Sequence, residues 1–117
     1  MQVNAFATKG ADAPLAPFSI ERREPGPNEV LIEILYCGVC HSDIHQARNE
    51  WGNSIFPMVP GHEIVGRVNS VGDKVSKFKS GDLAGIGCIV DSCRECNYCK
   101  EGDEQFCTKG MTGTYNS

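Results

Sequence analysis

The chain has 117 residues, 40% of them hydrophobic, and a formal net charge of −4. That suits one globular domain, and it excludes a disordered chain and argues against a nucleic-acid binder, which presents a basic patch. No apolar run approaches the ~18 residues of a membrane span, and MQVNAFATKG lacks the basic start and apolar stretch of a signal peptide. A cytoplasmic protein is expected, and in a reducing compartment its seven cysteines read as metal ligands before disulfides.

Thirteen glycines and six prolines favour short strands joined by turns. VNAFAT and FSIERRE alternate as strands do, and EPGPN (24–28) is a turn fixed by Pro25 and Pro27 around Gly26. EVLIEILYCGV is the strongest strand, with Val30, Ile32 and Ile34 on one face and Leu31, Glu33 and Leu35 on the other, ending near Gly38. SDIHQARN is predicted to form a short helix capped by Ser42 or Asp43. FPMVPGH is an extended loop. HEIVGRVNSVG reads as a strand in which Gly66 marks a bend or bulge, and FKSGDLAGIG as a turn and strand. Lys74, Lys77 and Lys79 read as a solvated strand edge. From Asp91 to Thr108 cysteines replace periodicity. The sum is a mostly β domain, a curled sheet or partial barrel, with one cysteine-rich lobe.

In that lobe CRECNYCKEGDEQFC is C-x2-C-x2-C-x7-C, placing Cys93, Cys96, Cys99 and Cys107. A segment without a core of its own is held by four thiolates on one tetrahedral Zn2+, and a site with all four positions filled is structural. Ferredoxin clusters use C-x2-C-x2-C-x3-C-P; here the last gap is seven and Thr108 follows, which favours zinc. A helical turn is expected at DEQFC. Cys88, in GIGCIV, reads as a small buried side chain.

CGVCHSDIH (37–45) is the second constellation. A redox C-x-x-C expects a βαβ setting that is missing here, and a nucleophilic Cys40 with His41 or His45 as base has no visible oxyanion donors. The partner segment is VPGHEIVGRVNSVGDKV. Cys40 and His62 read as zinc ligands, Glu63 as an alternating ligand or supporting group, and Asp43 as the residue that fixes the His62 tautomer.

These three motifs, in this order, resemble the catalytic domain of zinc-dependent medium-chain alcohol dehydrogenases, most of all the cinnamyl-alcohol-dehydrogenase-like aldehyde reductases, over essentially all 117 residues. The resemblance implies a GroES-like partial β-barrel with a structural zinc lobe at 91–108. It implies catalytic zinc on Cys40 and His62 with Glu63 beside them, and structural zinc on Cys93, Cys96, Cys99 and Cys107. Ser42 corresponds to the hydroxyl that meets the substrate oxygen, His45 to the outer member of a proton relay, Trp51 to a pocket-lining aromatic, and His41 to a neighbour of the cofactor diphosphate. The implied reaction interconverts primary alcohols and aldehydes with NADP(H), in a homodimeric enzyme.

The family pattern also calls for a third cysteine ligand from a later segment and a Rossmann domain with G-x-G-x-x-G. Neither lies within these residues, where KGMTGTYNS is loop-like. The 117-residue chain is therefore expected to be the N-terminal part of such an enzyme, inactive alone, with its catalytic zinc weakly held. Cys37 could stand in as a ligand only if strand alternation breaks at Gly38; otherwise it ends a buried strand. The competing expectation is a stand-alone zinc-stabilised β-domain with a binding or structural role.

Overall fold

A computed structural model describes residues 1–117. Strands β1 (Gln2–Ala7) and β2 (Ala16–Glu21) pair antiparallel, with Val3 opposite Ile20 and Ala5 opposite Phe18. Those four share the half-buried face, while Gln2, Asn4 and Ser19 face water, as the period of two requires. A second sheet runs β3 (Val30–Gly38), β4 (Glu63–Val71), β5 (Leu83–Ile86), all antiparallel. β4 is its centre, burying Ile64, Gly66 and Val68 and exposing Glu63, Val65 and Arg67. Thr8 and Met58 exchange two backbone hydrogen bonds of 2.9 Å, which ties the end of β1 to the loop leading into β4. Ala7, Met58, Ile64 and Val68 are the apolar core there. The sheets stay separate and do not close into a barrel.

Helix α1 (His41–Ala47) follows β3 directly. The cysteine lobe is bracketed by β6 (Ile89–Asp91) and β7 (Thr112–Gly113), which pair with each other, and contains α2 (Asn97–Glu101) and a 3-10 turn at Glu104–Phe106. The 3-10 turn sits where DEQFC predicts one.

Several sequence expectations change. Residues Ser42 and Asp43 lie inside α1, whose N-cap is Cys40 in extended conformation. Alternation along β3 is interrupted by irregularities between Leu31 and Ile32 and between Ile34 and Tyr36, and everything from Glu33 to Gly38 is exposed. Cys37 is thus an exposed residue rather than the end of a buried strand, and Cys88 is also exposed, in the two-residue break between β5 and β6. Strand β7 and helix α2 carry no legible periodicity. The lysines 74, 77 and 79 are solvated, as expected, but on the connection after β4 and not on a strand.

Two glycines explain part of the PGHEIVGRVNSVG pattern. A Cβ on Gly66 would lie 2.4 Å from the backbone oxygen of Glu33 and 2.4 Å from a methyl of Ile32. β3 crosses there with its bulge, Ile34 facing Gly66 and Tyr36 facing Val65. A Cβ on Gly72 would lie 2.3 Å from the oxygens of both Gly26 and Pro27. Both are places where one backbone presses on another, which only glycine allows. The Gly72 contact docks the EPGPN turn against the end of β4 through Gly72 N–H to Glu29 O at 2.8 Å and Lys74 N–H to Pro27 O at 2.9 Å.

Candidate metal centres

β3 delivers the chain to Cys40, and β4 begins one residue after His62, so the β3–β4 pairing brings two distant segments to one end of the sheet. Asp43, at the third position of α1, accepts the backbone N–H of Cys40 at 2.8 Å. That bond satisfies one of the orphan donors of the helix start and fixes the backbone that carries the Cys40 thiol. The ligating atoms of Cys40, His62 and Glu63 all lie within 4.8 Å of one another. Cys37 is not in this group.

His62 and Asp43 are both buried, 8% and 6% exposed, so their relation is not a screened surface pair. His62 Nδ1 is 3.3 Å from Asp43 Oδ1, yet that oxygen has no aligned hydrogen-bond partner and no access to water. A buried carboxylate oxygen in that position is best matched by a proton on the facing ring nitrogen. Nδ1 then carries the proton and Nε2 is left with its lone pair, the tautomer a metal ligand needs. Thiolate, imidazole and carboxylate converging in this way fit Zn2+ by donor chemistry. Three protein donors also leave a tetrahedral position open.

The relay candidates are arranged along α1. The Ser42 hydroxyl lies 3.6 Å from Cys40 Sγ, beside the place where the donors converge. One turn on, His45 Nδ1 meets Glu50 Oε2 at 2.5 Å, a partner the sequence reading missed because Glu50 belongs to no motif. The His45 ring lies 5.0 Å from Trp51 and 5.3 Å from His41, centroid to centroid. Trp51 is 54% exposed, and what its ring touches is His45. His41 is exposed.

Tyr115 is a second residue that no motif signalled. Its ring is parallel to that of His62 within 2°, with centroids 5.8 Å apart. Its hydroxyl is held protonated, its pKa raised first by burial and then by the Asp43 carboxylate.

In the lobe, the four sulfurs of Cys93, Cys96, Cys99 and Cys107 lie within 4.8 Å of one another. Zn–S bonds of about 2.3 Å in a tetrahedron set sulfurs about 3.8 Å apart, and Cys93 Sγ is 3.9 Å from Cys99 Sγ. That spacing fits a single ion and leaves no room for a multi-iron cluster between the sulfurs. Backbone N–H groups of Glu95 and Cys96 point at Cys93 Sγ at 3.4 and 3.3 Å, and that of Cys93 points at Cys107 Sγ at 3.4 Å. Donors aimed at sulfur favour thiolate. The N–H groups of Cys99 and Thr108 bring Cys96 down to about 6, and those of Cys93 and Lys109 also lower Cys107. Cys99 goes up to about 11: the Ser92 hydroxyl favours its thiolate, but burial and the neighbouring Cys96 and Cys107 sulfurs outweigh it.

Residues 26–117 match the family described as Alcohol dehydrogenase GroES-like domain. The chain is 60% identical over 117 residues to the aldehyde reductase YahK of Escherichia coli (strain K12), covering all of this chain and 33% of that protein. Among solved structures it resembles a cinnamyl alcohol dehydrogenase from Sorghum bicolor, with TM-score 0.95 and 44% identity over 100% of this chain and 33% of that one. It resembles equally the CAD from Helicobacter pylori complexed with NADP(H), with TM-score 0.95 and 51% identity over 99% of this chain and 33% of that one. The chain thus spans about a third of the length of the relatives it matches, and its fold is GroES-like.

Proposed function

The chain belongs to the alcohol dehydrogenase GroES-like domain family, and from that premise we propose that it is the zinc-holding part of an NADP(H)-dependent enzyme interconverting primary alcohols and aldehydes. The observation that carries the reading is the convergence of Cys40, His62 and Glu63 with the Ser42 hydroxyl beside them. A purely structural β-domain has no use for a hydroxyl beside a second donor set, since the four cysteines already close the lobe and the β3–β4 ladder holds by its own pairing.

Cys40, His62 and Glu63 would hold the catalytic zinc, and Cys93, Cys96, Cys99 and Cys107 the structural zinc. When bound, catalytic zinc supplies Lewis-acid polarisation of the substrate oxygen and eases loss of the alcohol proton. Ser42, whose hydroxyl lies beside Cys40 Sγ, would receive that proton, and His45 would pass it to solvent as the outer member of a relay completed by the cofactor ribose. Glu50 on Nδ1 turns the His45 Nε2 lone pair into the acceptor and stabilises the imidazolium that forms. Trp51 packs on the His45 ring and keeps it from swinging away, and His41 stands ready for the cofactor diphosphate. The substrates would be small alcohols or aldehydes, and a bound nicotinamide would supply the hydride chemistry. No helix is long and apolar enough to cross a membrane, which agrees with a cytoplasmic enzyme, proposed to be homodimeric.

A dinucleotide fold is not among these 117 residues, so the isolated polypeptide should bind the lobe zinc firmly, the second zinc weakly, and reduce no aldehyde. The decisive experiment joins this chain to the remaining two thirds of the E. coli aldehyde reductase it resembles. The chimera should reduce an aromatic aldehyde with NADPH, and Ser42→Ala or His45→Ala should lower kcat/KM by roughly 10²–10⁴, the usual worth of positioned proton transfer. A folded chimera carrying two zinc ions per chain but no turnover would refute the reading.

A further inference from the structure

Resting on that reading of the Cys40, His62 and Glu63 centre, we propose that Tyr115 is a positioning residue for the centre, acting through the His62 ring. His62 is fixed in its plane by only one polar neighbour, Asp43, and that contact, at 3.3 Å, is off-line. Rotation about the Cβ–Cγ bond of a histidine is broad, so one poorly aligned partner does not define the ring plane. The Tyr115 ring does define it, lying parallel within 2° at a centroid distance of 5.8 Å, inside the range of offset aromatic stacking.

A stacking partner can position another ring only if it is itself held. Tyr115 sits next to Asn116, whose side chain accepts the N–H of Ile55 at 2.7 Å and donates to the backbone oxygen of Asn53 at 3.1 Å. Thr114 N–H bonds to Cys88 O at 3.1 Å on the other side. The tyrosine is therefore pinned from both flanks, against the loop before His62 and against the entrance to the cysteine lobe. The two metal centres are linked by this short span: β7 closes on β6 at the edge of the lobe, and two residues later the chain reaches His62.

The test uses Tyr115→Leu, which removes the ring, and Tyr115→Phe, which keeps it. With zinc in the four-cysteine site and the second centre empty, long-range 1H–15N spectra of the His62 ring should show one Nδ1–H tautomer in wild type and in Tyr115→Phe, and averaged tautomers in Tyr115→Leu. Titrated with Co2+ in the chimera after the four-cysteine site is filled with zinc, Tyr115→Leu should bind at Cys40, His62 and Glu63 about tenfold more weakly, the lower end for outer partners of a metal ligand, with altered d–d bands. Asn116→Ala, which removes the bonds to Ile55 and Asn53 and leaves the ring, should weaken the centre in the same direction and keeps the test decisive if Tyr115→Leu misfolds. Wild-type affinity, bands and tautomer in Tyr115→Leu, or in Asn116→Ala if Tyr115→Leu misfolds, would overturn the positioning role alone. Failure of the otherwise wild-type chimera to take Co2+ at this centre would overturn the functional reading beneath it.

Discussion

Substituting Gly72 by alanine puts the steric account of the β4 end to a direct test. The new methyl carbon would sit 2.3 Å from two backbone oxygens, those of Gly26 and Pro27, and 2.4 Å from the Pro27 carbonyl carbon. These are backbone atoms, so no rotamer change relieves the overlap and the 24–28 turn has to move. Overpacking of this kind costs about 1–3 kcal/mol. Moving the turn also strains the bonds from Gly72 N–H to Glu29 O and from Lys74 N–H to Pro27 O, each worth about 0.5–1.5 kcal/mol net. Against this, alanine restricts the unfolded chain and returns about 0.4–1 kcal/mol. The net loss is about 3 kcal/mol at the middle of these ranges, or roughly 1–3 M in urea midpoint at the slopes usual for small proteins. Two controls isolate the cause: Gly10, with nothing within 4 Å of a Cβ, and Gly81, equally open but at φ +94. In urea unfolding of the zinc-loaded protein, Gly10→Ala should gain about 0.4–1 kcal/mol, Gly81→Ala should lose about 1–2 kcal/mol from its left-handed backbone, and Gly72→Ala should lose most. A Gly72→Ala midpoint equal to that of Gly10→Ala would show that the turn is not pressed against β4.

Asp43→Asn keeps the size of the side chain but removes the charge facing His62 and Cys40; it should lower Co2+ affinity at Cys40, His62 and Glu63 by roughly 10–100-fold while leaving the four-cysteine centre unchanged, read by chelator competition at each site. Glu29 is held at about 2, below its ordinary 4.5, first by the Arg23 guanidinium and then by the Gly26 N–H. Because the folded value is the depressed one, its contribution is fully present above about 4.5 and is lost as pH falls through about 2. Carboxyl 13C shifts should show Glu29 titrating near 2 in the wild type and moving back up in Arg23→Ala. Stripping zinc with a chelator should raise amide exchange throughout residues 91–113 while the β3–β4 ladder stays protected, since the lobe alone depends on thiolates for closure; equal loss of protection in both would refute that independence.

The strand content, the helix at 41–47 and the four-cysteine lobe were legible because each rests on local spacing, whereas Cys40 and His62 lie on distant segments and were joined only through the family resemblance. Alternation announces β4, and three-residue cysteine spacing announces the lobe. The helix boundary was misread because serine and aspartate are the usual caps, whereas here Asp43 works from inside the helix, reaching back to the N–H of Cys40. Glu50 and Tyr115 were invisible for another reason. Their roles come from contacts made by the turn after α1 and by the residues that follow β7, and neither pattern has a period. Cys37 and Cys88 were placed inside because apolar neighbours in sequence suggest burial. Only nine residues are buried in this chain, so apolar neighbours there do not guarantee cover.

The clearance at Gly66 and Gly72 separates two things that the PGHEIVGRVNSVG stretch combines. On the proposed reading His62 and Glu63 serve the metal, whereas the glycines are there because strands and turns pass too close for a methyl. Selection on the metal can relax without relaxing selection on the glycines. A descendant that has lost catalysis should therefore lose Cys40, His62 and Glu63 first and keep Gly66 and Gly72, so the glycines alone identify the shape and never the reaction.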